Sequence, residues 1–210
     1  DKKVRTKFLK KAAKSLDGLD ILVQDLLTIS QMETGEIKMH FESFDIVRLT
    51  REVMDQLDGK AEKRDIEVSI TGDDQKHFVR GDYQRIYQVL INLVSNAIKY
   101  TKKGGAVNIR FEESKDSITT FIKDNGRGIP PEDLSRIFER FYRVEKSRSK
   151  EKGGTGLGLA IVKHIMEGHD STVDVESEVK KGSTFSFKLK KGKPVAHRFV
   201  EEEDEEDDYA

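Results

Sequence analysis

Two asparagines and a lysine on one helical stripe are the first residues whose types and spacing suggest chemistry. Over residues 82–101 the spacing predicts a helix with Ile86, Leu90, Leu93 and Ala97 on one stripe, flanked by Val89, Val94 and Ile98. Arg85, Asn92, Asn96 and Lys99 fall on another, and the amides of Asn92 and Asn96, four apart, stack one turn above the other. A polar stripe is ordinarily a solvated face, but asparagine is a poor helix former and a less usual choice for one. An amide oxygen is a hard ligand that suits Mg²⁺, and a neighbouring lysine suits phosphate. The helix alone decides nothing.

Two glycine-rich stretches change the balance. Asp124-Asn125-Gly126-Arg127-Gly128-Ile129-Pro130 follows an apolar run over 118–122 that reads as a strand, and taken alone it is an ordinary turn. Gly153-Gly154-Thr155-Gly156-Leu157-Gly158-Leu159 runs into a helical pattern over 160–166. Gly154, Gly156 and Gly158 precede or open that helix, so free N–H groups and the positive dipole end are offered to phosphates. The spacing is GxGxG and not the dinucleotide fingerprint GxGxxG, and no βαβ unit with a later ribose carboxylate accompanies it. In this order, the asparagine helix and the two glycine stretches resemble the N, G1 and G2 boxes of the two-component sensor histidine kinases. Phe138-Glu139-Arg140-Phe141-Tyr142-Arg143, between them, matches that family's F box. The resemblance runs from about residue 8 to residue 189.

The resemblance implies a fold and a set of roles. The fold is α+β, a two-layer α/β sandwich of the Bergerat type shared with gyrase, chaperone and mismatch-repair ATPases, preceded by a long amphipathic helix. The implied cofactors are ATP and Mg²⁺. Asp124 would accept from the adenine amino group, Gly126 and Gly128 would let the backbone pass close to the base, and Ile129 would wall it. Ser183 would join Asp124 through a water. Asn96 would hold Mg²⁺ by its amide oxygen, with Asn92 beside it and Lys99 and Tyr100 close to the phosphates. Gly154, Gly156 and Gly158 would cradle the triphosphate, Thr155 would add a hydroxyl, and Leu157 would lie near the base or ribose. Arg143 would reach the γ-phosphate and Tyr142 would sit beside the nucleotide, whereas Phe138 and Phe141 are expected in the core. The charged segment 144–152, with Lys146, Arg148, Lys150 and Lys152, resembles the ATP lid.

The rest of the chain must position these groups. It has 210 residues, enough for one sizeable domain and a small appendage, and with 8% aromatics and no Trp its core must be mostly aliphatic. Without cysteine, disulfides and thiolate metal sites are excluded, which fits a reducing cytosol. No apolar run approaches the ~20 residues needed to cross a bilayer. The chain begins with Asp1 and shows no signal peptide, so it is expected to be a piece of a longer protein. Residues 201–208 are all acidic. Setting them aside leaves 38 basic against 31 acidic residues, about +7, a body suited to a polyphosphate but not an argument for nucleic acid. The tail itself reads as a solvating, disordered segment.

Three units are expected: 1–35, 36–192 and the tail 193–210. In the first, Val4, Phe8, Ala12, Leu16, Leu19, Val23, Leu26 and Met32 form a coiled-coil-like seam that Gly35 ends. It resembles the second helix of the dimerisation and phosphotransfer hairpin, so a homodimer is implied when the hairpin is complete; the alternative is a helix that packs on its own domain. In the second unit, strands are predicted at 38–41, 66–70 and, more weakly, 77–80, and a helix capped by Asp45 is predicted to run to Gly59. Two hairpins, 107–113 with 117–123 and 172–178 with 183–190, complete a mixed, mainly antiparallel sheet with helices over one face.

The implied activity is transfer of the ATP γ-phosphoryl group to a histidine, for onward transfer to a response-regulator aspartate, in the cytoplasm, with any membrane contact through upstream segments. His40, His77, His164, His169 and His197 all lack the family's phosphoacceptor context, so the acceptor helix is expected elsewhere. His164 and His169 read as structural or surface residues. Related ATPases carry a glutamate where this chain has Asn92, which cannot act as a base, so weak ATP hydrolysis is expected. Two alternatives remain from the sequence: an ATPase of the same superfamily, and a nucleotide-binding or dimerisation module without catalysis.

Overall fold

The computed structural model describes residues 2–34, 38–72, 75–144 and 154–194. The Gly35 stop, the lid beyond Val144, Gly153, His197 and the acidic tail lie outside the described residues. The elements run α1 Lys2–Glu33, β1 Phe41–Asp45, α2 Ile46–Glu62, β2 Glu67–Thr71, β3 Phe78–Asp82, α3 Tyr83–Tyr100, β4 Ala106–Glu113, β5 Ser117–Asp124, α4 Pro131–Leu134, α5 Gly158–Gly168, β6 Val173–Glu178 and β7 Gly182–Lys190.

Five strands form a sheet in the order β2-β4-β5-β7-β6, with β2 parallel to β4 and the other pairs antiparallel. α2, α3 and α5 cover it, and the core lies between the layers. Strand alternation decides what faces that core. On β5, Ile118, Thr120, Ile122 and Asp124 are buried, as are Ser183, Phe185, Phe187 and Leu189 on β7. The parity that buries Ile122 therefore also turns Asp124 inward, opposite Ser183 on one side and Val107 on the other.

Local chemistry explains the helix ends. Asp45 caps α2 by accepting from the Val47 N–H at 3.0 Å, and Asp82 caps α3 through the Arg85 N–H at 3.1 Å. α2 runs past Gly59, because burial of Ala61 outweighs the ~1 kcal/mol cost of a helical glycine. It ends in a Schellman motif: the Ile66 N–H reaches Ala61 O, the Asp65 N–H reaches Glu62 O, and Asp65 takes the left-handed position at φ 56°. α5 ends the same way on Asp170 at φ 53°, which explains how a turn without glycine closes there.

Several expectations are corrected. The first strand is Phe41–Asp45 and not 38–41, and it pairs with β3 in a separate two-stranded sheet. The short helix α4 carries no periodic signal in four residues and was not anticipated. Phe141 is 54% exposed at φ 62°, outside the core, whereas Phe138 packs half-buried against it. Apart from these corrections, the α1 seam residues Val4, Phe8, Leu16, Leu19, Val23 and Leu26 are exposed. A neighbouring stripe, Leu22, Asp25 and Ile29, instead faces the body, with Ile29 fully buried and α1 packed on α5.

His169 is a structural histidine. Its Nδ1–H donates to Ile165 O at 2.7 Å and its Nε2 accepts from the Asp82 N–H at 2.9 Å, which fixes the neutral tautomer. Burial holds its pKa below the ordinary 6.5. The unfolded chain therefore takes up a proton first, and stability is full above about pH 6.5 and falls as the pH drops, by at most about 1.4 kcal/mol per pH unit from this group. Urea midpoints at pH 5 and 8 will show this slope in the wild type and a shallower one in His169→Gln; equal slopes would remove His169 as the cause.

Candidate functional site

Asp124 and the loop after β5 make one end of the site. The carboxylate is 5% exposed; its Oδ1 accepts from the Gly126 N–H at 2.8 Å, and the Ser183 backbone also donates to it. Burial still dominates and raises its pKa above 3.8, because two backbone donors do not replace lost hydration. Gly126 must be glycine, since a Cβ there would lie 2.6 Å from Tyr100 O and 2.7 Å from Asp124 Oδ1. The loop is clamped from below by the β6–β7 turn: Lys180 N–H donates to Arg127 O at 2.7 Å, and Ile129 N–H to Ser177 Oγ at 2.8 Å. Tyr100, at the end of α3, lies beneath two cations, with the Arg127 guanidinium 4.5 Å and Lys99 Nζ 5.1 Å from its ring centroid.

α3 and the loop before α5 make the other end. A Cβ on Gly154 would lie 2.6 Å from Lys99 Nζ, and one on Gly158 would lie 3.0 Å from Asn92 Oδ1. The glycines thus let an ammonium and an amide approach the N-terminal end of α5. Gly156 adopts φ 75° and its carbonyl accepts from the Phe141 N–H at 3.0 Å, tying the loop to the segment that carries Tyr142 and Arg143. Thr155 Oγ1 donates to Asp25 Oδ2 of α1 at 3.0 Å and accepts from the Leu157 N–H at 3.2 Å.

The structure thus gathers Asp124, Gly126, Gly128, Ile129, Tyr100 and Ser183 at one end and Asn92, Lys99, Gly154, Thr155, Gly156 and Gly158 at the other. Asn96 lies one turn beyond Asn92, half-buried, and neither side-chain amide makes a hydrogen bond among the described residues. Four of the expected site residues have protein surroundings that the sequence did not show. Leu157 is fully buried in the core. The Tyr142 hydroxyl donates to Asp133 and its ring lies 4.3 Å below the Arg136 guanidinium, a local cluster. Arg143 is exposed. The Ser183 hydroxyl is engaged with Ser177 Oγ at 2.9 Å. Ser177, Arg127 and Asp25 escaped the sequence reading as site residues; Arg127 and Asp25 stand inside stretches that carry the resemblance, but Ser177 has no local signal.

No group of three or more His, Asp or Glu suited to a metal exists among the described residues. A cation here would need a ligand to complete its shell. Free amide oxygens beside a lysine and a bare helix start are the donor set expected for Mg²⁺ held jointly with phosphates, so the residues fit.

A family model described as histidine kinase-, DNA gyrase B-, and HSP90-like ATPase matches residues 81–193, more than half of the chain. The chain belongs to this family. The sensor histidine kinase WalK of Bacillus subtilis (strain 168) is 35% identical over 191 residues, covering 90% of this chain and 31% of WalK. The chain therefore spans about a third of that relative. The catalytic domain of histidine kinase ThkA superimposes with a TM-score of 0.64 at 33% identity, over 73% of this chain and 99% of that one. ThkA solved in complex with the response regulator protein TrrA matches with a TM-score of 0.70 at 28% identity, over 89% and 51%. Full-length ShkA in complex with AMPPNP matches with a TM-score of 0.79 at 26% identity, over 90% and 39%. The folded body is an ATP-binding catalytic domain of the sensor histidine kinase type. No helix among the described residues is long and apolar enough to cross a membrane.

Proposed function

We propose that this domain transfers the γ-phosphoryl group of ATP to a histidine on a helix outside these 210 residues, for passage to a response-regulator aspartate. The observation that carries the reading is the two-ended site: a buried carboxylate at one end, and Lys99 with Asn92 against the glycines at the other. Asp124, with Gly126, Gly128 and Ile129, selects adenine. Lys99, Gly154, Gly156, Gly158 and the Thr155 hydroxyl take the phosphates, with Tyr100 beneath Lys99, while Arg143 and Tyr142 approach when their segment closes on ligand. Mg²⁺, held by Asn96 with Asn92 beside it, supplies charge neutralisation at the phosphates. ShkA is described with a nucleotide analogue and ThkA with a response regulator, which supports both partners here. Residues 1–35 are the dimerisation helix, 36–192 the catalytic domain and 193–210 a tail; the exposed seam of α1 suits a homodimer, and ATP places the domain in the cytoplasm.

Phosphoryl transfer is mostly positioning and charge stabilisation, so a site without a base can serve an imidazole, which is already nucleophilic when neutral. Asn92 gives water no base, and steady-state ATP hydrolysis by this chain is expected to be barely above background; rapid turnover would favour the ATPase alternative. The decisive experiment offers γ-labelled ATP and Mg²⁺ to this chain and to one lengthened upstream to include the phosphotransfer helix. Acid-labile, base-stable label on the long form alone is the expected result. Nucleotide binding without label on either would leave a binding module without catalysis.

A further inference from the structure

One edge of the main sheet is open. β2 pairs with β4 alone, in parallel, and no strand lies on its other side among the described residues. The Glu67 N–H donates to Gly105 O at 3.1 Å, which fixes the phase of that ladder. Glu67, Ser69 and Thr71 therefore turn their main-chain groups to β4, and Val68 and Ile70 turn theirs away from it. Such an edge is a template for another strand, and proteins commonly blunt it with lysine or proline. Residues Glu67–Thr71 include neither.

A cleft opens beside this edge, between α2 and β2. Its volume is 270 Å³, and it is lined by Met54, Asp55, Asp58, Ala61, Ile66 and Val68. Small-molecule sites run to about 300–1,000 Å³, so this one suits a side chain or two. Ala61 and Ile66 are buried and Met54 and Val68 partly so, while Asp55 and Asp58 are exposed on α2. An apolar floor under a carboxylate rim matches a long cationic side chain, whose methylene stem covers apolar surface while its head stays at the charge.

Strand parity joins the two features. Ile66, Val68 and Ile70 face the helix layer. Ser69 and Thr71 face the open side, where both hydroxyls accept from Asn108 Nδ2. A strand added alongside β2 would send every second side chain to the helix side, next to the cleft.

We propose that the β2 edge and the α2–β2 cleft form a docking site for an extended strand of a partner protein, with a Lys or Arg side chain seated against Asp55 and Asp58. The edge supplies main-chain hydrogen bonds and the cleft selects the cation. A second copy of this chain does not suit the place, because two-fold pairing of β2 with β2 would set two acidic rims side by side. The site is separate from the one along α3, α5 and the loop after β5.

The probe is the acetylated, amidated peptide Thr-Val-Thr-Arg-Thr-Val-Thr, which puts valine, arginine and valine on one face of an extended strand. Its counterpart carries Glu in place of Arg. In an NMR titration of the 210-residue chain, the Arg peptide should move the amides of residues 55–71, and the Glu peptide should bind at least about tenfold more weakly. Asp55→Lys with Asp58→Lys, at exposed helix positions, should weaken the Arg peptide about tenfold and reverse the preference. Ile70→Pro removes an outward N–H and no bond to β4. It should weaken the Arg peptide about fivefold, the scale of one hydrogen bond, with ATP affinity unchanged. Equal affinity for the two peptides, no binding of either, or shifts confined to other residues would overturn the site. So would self-association of the wild type that Ile70→Pro abolishes, since a second copy would then hold the edge.

Discussion

An Asp124→Asn chain will bind ATP about a hundredfold more weakly than wild type while resisting urea equally well or better. The two halves come from one cause. Asp124 is 5% exposed, and burial raises its carboxyl despite the Gly126 and Ser183 backbone donors. For an acid with a raised folded pKa, stability is fully present below the unfolded value of 3.8 and is lost as the pH rises through the folded value. At neutral pH the ionised group therefore opposes folding, and a neutral amide of the same size removes that cost, which offsets the loss of the Ser183 backbone donor. The amide cannot replace it for binding, however. If its oxygen keeps the Gly126 N–H at 2.8 Å, its NH₂ meets the Ser183 N–H or the adenine amino group, donor against donor. Losing a charge-assisted bond and leaving donors unpaired costs about 2.5–3 kcal/mol, hence the two decades. Calorimetric titration with ATP at pH 7.5, beside urea unfolding of the ligand-free chains, reads both. Unchanged affinity would detach Asp124 from adenine recognition.

What could be read beforehand depended on range. Asp45 and Asp82 precede runs of helical spacing, and both cap their helices, because a cap is a contact between residues two or three apart. The two hairpins and the inward position of Asp124 follow from strand alternation and short turns. Long-range pairing was not legible. Nothing local in 38–45 says that Phe41 pairs with Asp82, which makes β1 and β3 a sheet of their own. Apolar spacing on α1 showed the seam of Val4, Phe8 and Leu16, which is exposed, but not that Leu22 and Ile29 on a neighbouring stripe would pack against the body. In the site, the glycines and Asn92 stand in motifs, whereas Asp25 meets Thr155 across 130 positions and Ser177 meets Ile129 across 48. Phe141 misled because phenylalanine is usually buried. Here the backbone is committed first, its N–H to Gly156 O with φ 62°, and the ring goes where that leaves it.

Gly128→Ala is expected to cost at least about 3 kcal/mol and to abolish ATP binding, and the cause is backbone contact more than backbone strain. Gly128 sits at φ 69°, which for alanine costs about 1–2 kcal/mol. An added Cβ would also lie 2.1 Å from Glu178 O, 2.6 Å from its carbonyl carbon and 2.9 Å from Val179 Cα. All three are main-chain atoms at the end of β6, so no rotamer change relieves the clash. The loop and the β6–β7 turn must part, which breaks Lys180 N–H to Arg127 O and Ile129 N–H to Ser177 Oγ together. Both hold the loop that starts at Asp124, and Ser177 also bonds Ser183, the cross-strand partner of Asp124. The proposed adenine end therefore loses its geometry when the clamp opens. Gly72 separates the two causes: it has nearly the same φ, 73°, with nothing within 4 Å of its Cβ position. Gly72→Ala should show the conformational cost alone, about 1–2 kcal/mol, and leave ATP affinity intact. Urea unfolding and ATP titration of both variants measure the difference. Equal losses from the two would mean that the β6–β7 turn gives way freely and that the clamp does not hold the site.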